Sequence, residues 1–160
     1  MVQRMTDEFD DLFRRASAAC DFLVRRDRQY LQWRYLERPD VQYMVLAVRK
    51  WGRLVGWSAF RLQDERLVWG DALFDPAVPE AAGVLIRQIG PQFAERGVWM
   101  IEGWFPSRSA FLTRRLDELG LVSAPEPDDL SLMCVPFTMS EAAERMRSAF
   151  FYTKGDGDLF

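Results

Sequence analysis

The feature that most constrains the fold lies between Tyr43 and Trp104, where three β-rich segments are followed by one helical segment and a further apolar strand. Tyr43 to Arg49 reads as a strand, and a turn at Lys50 to Arg53, with Gly52, leads into LVGWSAFRL, a second strand interrupted by Gly56. Asp64 and Glu65 turn the chain again into Arg66 to Phe74, which stops at Asp75-Pro76. Short polar turns between β-branched and aromatic segments give antiparallel hairpins, so these strands form a meander.

Pro79 suits the first turn of a helix, and Ala81, Ala82, Val84, Leu85, Ile89 and Phe93 continue an apolar stripe to about Arg96, with Gly97 as the stop. Gly90-Pro91 is expected to kink it. The helix is long enough to cross over the sheet, which places Val98 to Trp104 parallel to Arg66–Phe74 and makes the sheet mixed.

The flanks add helices. Thr6 is positioned to cap a helix with acidic first-turn residues and Arg14 and Arg15 later, burying Phe9, Leu12, Phe13 and Ala16. Asp27 caps a second helix running to about Leu36, ended by Pro39. Ser107 caps a third, with Phe111, Leu112, Leu116 and Leu119 on one face and Gly120 beyond its end. Pro125 to Asp129 reads as a loop, Leu130 to Val135 as a strand, Ser140 to Arg147 as a short helix and Phe150 to Thr153 as a last strand. The stretch from Ala18 to Arg26 carries no clear periodicity. At 160 residues this fits one α/β domain over 1–160.

Composition removes several function classes. There is no histidine, so Ser/His/Asp relays, imidazole metal sites and histidine switches are excluded together. Cys20 and Cys134 lie far apart without CxxC spacing, which suggests neither a disulfide framework nor a zinc site and makes a reducing cytoplasm the expected setting. A net charge of -3 gives no general attraction to nucleic acid, and no apolar run reaches the length that spans a bilayer.

Two short helices, a meander, a crossover helix, a parallel strand and a helix ending Leu-Gly-Leu resemble the GNAT acyltransferase fold. More narrowly, Arg26 to Pro39 (RDRQYLQWRYLERP), Tyr43 with its strand, Gly52 to Gly56, and Tyr152 to Phe160 (YTKGDGDLF) resemble the C-terminal half of two-part GNAT-like proteins. The resemblance implies a mixed, mostly antiparallel sheet, an acetyl-CoA or longer acyl-CoA donor and a small-molecule amine acceptor. It also implies a partner, either a second GNAT-like half or another copy in a homodimer. A module that has lost catalysis and kept the fold is the alternative.

In that family the strand before the crossover helix bonds the pantetheine arm, here Ala72, Leu73 and Phe74. The next helix opens with a Gln/Arg-x-x-Gly-x-Gly/Ala loop whose amides hold pyrophosphate. The matching stretch is Val78 to Gly83: Val78 stands for Gln or Arg, Ala81 for the first Gly, and Gly83 alone fits. The amides of Ala81, Ala82 and Gly83 are therefore the implied cradle, with Glu80 opposing an anion there.

A base for the amine is sought in Asp71 and Glu102, which would flank the splay between their strands. Trp69, Asp71 and Leu73 are expected on one face. The structural alternatives are that Asp71 caps a backbone group and that Glu102 pairs with an arginine. The family's usual tyrosine has no match, which leaves Tyr152 as the acid or as a core residue. Trp33, Arg34 and Tyr35 offer a stacking site or a core face. The GDGD tail offers a weak divalent-cation motif or a turn with solvated carboxylates. Arg14, Arg15, Arg25, Arg26 and Arg28 read as a solvated face.

Overall fold

The structure, a computed structural model, describes residues 1–106, 115–125, 140–157 and 160. The expected cap Ser107, Phe111 and Leu112, most of the loop after Pro125, the strand at 130–135 and Cys134 lie outside them.

Helix α1 (Asp7–Ser17) begins after Thr6 and carries the expected acidic start and basic end, though the Thr6 hydroxyl makes no cap bond. Its carbonyl accepts from Phe9 N instead, at 3.0 Å. Asp27 caps α2 (Arg28–Leu31) by accepting from Tyr30 N at 2.9 Å. The helix then widens into a π-helical turn, Gln32–Leu36, closed by Glu37 N on Gln32 O. Such turns cluster at functional positions because they rotate the following side chains. Here Arg34 and Tyr35 are buried together while Trp33 stays 59% exposed.

The meander forms as the pattern predicts: β2 (Met44–Lys50), β3 (Arg53–Gln63) and β4 (Arg66–Phe74), antiparallel in that order, with β5 (Met100–Gly103) parallel to β4. Trp51 and Gly52 both take positive φ, 50° and 79°, as a tight primed turn between β2 and β3 requires. A separate two-stranded parallel sheet joins β1 (Phe22–Leu23), from the stretch without periodicity, to β6 (Phe150–Phe151) after α4 (Ser140–Ala149).

Helix α3 (Ala81–Ala94) runs through Pro91 without ending there, because its buried residues on both sides of the proline pack on one sheet face. Leu85, Ile86, Ile89 and Phe93 hold it on Val55, Phe60, Leu67, Trp69, Ala72 and Phe74. It stops at Gly97, φ 80°, with Val98 N returning to Phe93 O. The same closure recurs at Gly120, φ 79°, with Leu121 N on Leu116 O. On the other sheet face α1 and α2 pack Phe9, Leu12, Leu31 and Tyr35 against Leu54, Trp57, Ala59, Val68 and Leu73. With both faces covered, β3 reads as buried from Leu54 to Phe60. Among the described residues no helix is long and apolar enough to cross a membrane.

Candidate functional site

A register shift between Ala59 and Phe60 pairs Ala59 with Asp71 and Phe60 with Trp69, which leaves Gly70 as the extra residue of a β-bulge. The bulge corrects the expected alternation. Trp69 packs on the α3 face, while Leu73 packs on the α1/α2 face, where Asp71 meets Arg26 and Tyr35. One inserted residue switches the phase of every side chain beyond it.

Asp71 is fully buried, and both its oxygens are occupied. Oδ1 accepts from Arg26 Nε (3.0 Å), Thr153 Oγ1 (2.9 Å) and the Ala72 amide (2.9 Å); Oδ2 accepts from Tyr35 Oη (2.7 Å). Arg26, also with no exposed side-chain surface, extends to Asp156 Oδ2 at 2.5 Å. Burial opposes the charge of Arg26, but Asp71 and Asp156 outweigh it and hold the guanidinium protonated. Burial pushes the Tyr35 phenol well above its ordinary range, and the Asp71 charge and hydrogen bond push it further, so it remains the donor. Burial likewise raises the Asp156 carboxyl, against the pull of Arg26 and with Asp71 adding to the rise.

Two expectations change here. Arg26 belongs to the core rather than to a solvated face, and the Asp156 carboxylate, 9% exposed, is a buried ion-pair partner rather than a solvated tail group. Among the described residues no cluster of carboxylates or cysteines is arranged to hold a metal ion. Arg34 donates to the main-chain oxygens of Gly155 (3.2 Å), Gly157 (3.0 Å) and Phe160 (2.8 Å). Arg26, Arg34 and Tyr35 on one side and Thr153–Gly157 with Phe160 on the other are therefore the two sides of one buried polar cluster built around Asp71. Arg26 and Thr153 escaped sequence reasoning as site residues, and Tyr35 and Asp156 were read there for stacking and for a cation rather than for this cluster. Their signal was present in the two most distinctive stretches, whose mutual contact no local pattern encodes.

Beside this cluster the sheet opens. β5 pairs with β4 only from Arg66↔Met100 to Trp69↔Gly103. Beyond the bulge, among the described residues, β4 has a partner strand on the β3 side alone. Asp75 N reaches Val55 O, so by alternation the Phe74 amide turns toward the open edge. The Ala72 amide is held by Asp71 Oδ1, which leaves Leu73 paired inward and Phe74 as the edge donor.

Glu102 pairs in register with Val68, two residues before the bulge, and is about one-third exposed. Its oxygens meet Lys154 Nζ at 3.2 Å and Arg66 Nη1 at 3.5 Å. Lys154 also lies over the Trp104 ring, 5.3 Å from its centre. Tyr152 is half-buried and stacks on Phe150 at 6.2 Å.

The edge leads to the start of α3. Asp75, buried at the end of β4, accepts from Arg15 Nε (2.7 Å) and the Ala77 amide (3.1 Å), with Arg53 at 3.4 Å. Burial opposes its ionisation, yet these donors hold the carboxyl below the usual range. The Ala81 amide already donates to Val78 O, and the ladder begins with Val84 N on Glu80 O, so the Ala82 and Gly83 amides stand ahead of it. The Arg87 guanidinium lies over Gly83, with Nη1 3.1 Å from where a Cβ would stand. Lys50 Nζ binds Glu80 Oε1 at 2.7 Å, and that hydrogen bond lowers the Glu80 carboxyl. The opposing charge of Glu80 is thus partly neutralised, and the donor set of two amides and a guanidinium suits an anion.

No family model matches the sequence, and no curated protein is similar to it in sequence. Solved structures are similar in fold. The ribosomal-protein-S18-alanine N-acetyltransferase from Escherichia coli superposes with a TM-score of 0.51 at 16% identity, covering 72% of this chain and 70% of that one. An aminoglycoside acetyltransferase from an uncultured soil metagenomic sample superposes with a TM-score of 0.52 at 20% identity, covering 79% and 87%. With its mixed, mostly antiparallel sheet, its bulge and its half-paired β4, the chain has the fold of the GNAT N-acetyltransferases.

Proposed function

We propose that this chain is an N-acyltransferase that moves an acetyl or longer acyl group from acyl-CoA to a small-molecule amine. The observation that carries the reading is the half-open β4: an edge-strand donor at Phe74 leads directly to an anion-suited helix start. A thioester arm laid along Ala72, Leu73 and Phe74 would meet edge amides as an added strand does. Its pyrophosphate would then reach the amides of Ala82 and Gly83 beside Arg87, with Ala81 shaping the turn.

Of the two candidate bases, Glu102 is the better placed. Its oxygens meet Lys154 and Arg66, but it is about one-third exposed where the strands part, whereas Asp71 is fully buried with both oxygens engaged. In this scheme Glu102 takes the amine proton, the amine nitrogen bonds to the carbonyl carbon, and the sulfur leaves and is protonated by Tyr152. Asp71 holds the strand from behind. The proposed setting is the cytoplasm.

A second reading, a binding module without catalysis that pairs with a second GNAT-like half or another copy, is favoured by the saturation of Asp71 and by Glu80 in the loop. Calorimetry with acetyl-CoA, followed by thiol-release assays across an amine panel, separates the two. The acyltransferase reading expects binding in the micromolar range and turnover lost in Glu102→Gln. Absence of acetyl-CoA binding at millimolar ligand would support the module.

A further inference from the structure

We propose that the closing stretch, Thr153–Gly157 with Phe160, is a strap that sets the geometry of the β4 bulge, making Phe160 a positioning residue for the acyl-binding edge. The acyl half of this proposal rests on the acyltransferase reading above.

At Gly70 the strap meets main chain, and at Asp71 it meets the side chain. Gly70 is the bulge residue, and a Cβ built on it would stand 2.1 Å from the Phe160 ring, so the ring is lodged against the Gly70 main chain. Phe160 is 2% exposed and is held by Tyr43 (ring centres 4.9 Å apart), by Tyr35 (6.2 Å) and by Arg34 on its main-chain oxygen. One residue on, Gly155 lies against the Asp71 side chain: its Cβ would meet the Asp71 Cβ at 2.8 Å and Tyr35 Oη at 2.4 Å.

Thr153 and Asp156 complete the fastening. Each bonds the other's backbone or side chain in a capping box, and each is tied through Arg26 to Asp71. Consecutive bulge residues, 70 and 71, are therefore both pressed from the α1/α2 side by the same stretch. The edge of the same strand is open where a thioester would lie. A bulge left without such backing has no ladder bond to fix the extra residue. With the strap seated, the direction of the Phe74 amide, the edge donor that follows, is determined, and a carbonyl laid there meets a preorganised donor.

The test uses the full chain, with Phe160→Ala and the milder Phe160→Leu. Calorimetry gives Kd for CoA and acetyl-CoA, and hydrogen exchange follows the amides of Gly70–Phe74 against those of Met44–Lys50. One extra carbonyl hydrogen bond should make wild-type protein prefer acetyl-CoA by about fivefold. Phe160→Ala should erase that preference while changing the CoA Kd less than about twofold, and Phe160→Leu should restore part of it. Exchange at 70–74 should rise selectively. If the preference survives Phe160→Ala, or exchange rises evenly across the sheet, Phe160 is a core residue only and the proposal fails. If wild-type protein binds neither ligand, the acyltransferase reading fails by itself, and selective or even exchange still decides the strap.

Discussion

Arg26 is the buried countercharge of two carboxylates, and Arg26→Met makes its contribution measurable. The substitution keeps most of the side-chain volume and removes the charge, leaving Asp71 and Asp156 buried without a countercharge. An ion pair about 4 Å apart at the effective dielectric of a protein is worth roughly 4 kcal/mol. Breaking a buried pair from one side costs about 3–5 kcal/mol, because a carboxylate is stranded. Tyr35 and Thr153 still donate to Asp71, so the lower end, about 3 kcal/mol, is expected. For a chain of this size that is a fall of about 6–12 °C in Tm. The pH dependence has a definite sign. Asp156 already has a raised folded pKa, and loss of Arg26 raises it further, so the folded variant binds protons that the unfolded chain does not. Its deficit should shrink as pH falls from 8 to 5. Urea unfolding of both proteins across that range is the assay. A deficit below about 1 kcal/mol, or one that is flat with pH, would refute the keystone role of Arg26.

Asp75→Asn tests the opposite sign. The folded pKa of Asp75 is lowered, so its contribution is present above the unfolded value of about 4 and disappears as pH falls through the folded one. The variant should lose about 1–3 kcal/mol at pH 7, and in acid unfolding the gap to wild type should close progressively below about pH 4. Gly56→Ala should cost about 1–3 kcal/mol by chemical denaturation, since its Cβ would stand 2.3 Å from the Phe74 ring; an unchanged midpoint would contradict that packing. Trp51→Asn should raise Tm, because Trp51 is 94% exposed at φ 50°, where asparagine is favoured by about 0.5–1 kcal/mol; a fall would show that the Lys50 ammonium over the indole, 5.0 Å from its centre, outweighs the backbone gain.

The meander and crossover were legible because each strand and turn is specified locally: Gly52 and Gly97 sit at positive φ where the pattern needs them, and the apolar stripe of α3 meets one sheet face. The phase of Asp71 was not legible. Nothing adjacent to Gly70 distinguishes a bulge glycine from an ordinary strand glycine, and the reason for it, the Phe160 ring, lies 90 residues away in sequence. The same separation hid Arg26, which locally sits among surface arginines and finds its ion-pair partners at Asp71 and Asp156, far along the chain. Arg87 was missed because it follows the loop by one helical turn, where i to i+4 geometry returns it over Gly83.

The central claim is that β4 beyond its bulge and the start of α3 form one acyl-CoA site. Titration of acetyl-CoA into isotopically labelled protein, followed by amide NMR, tests it most directly. The account predicts that the largest shifts fall on Phe74, Ala82 and Gly83, with the Arg87 side-chain resonance moving at the same ligand concentration. Shifts confined to other surfaces, or none at millimolar ligand, would contradict it.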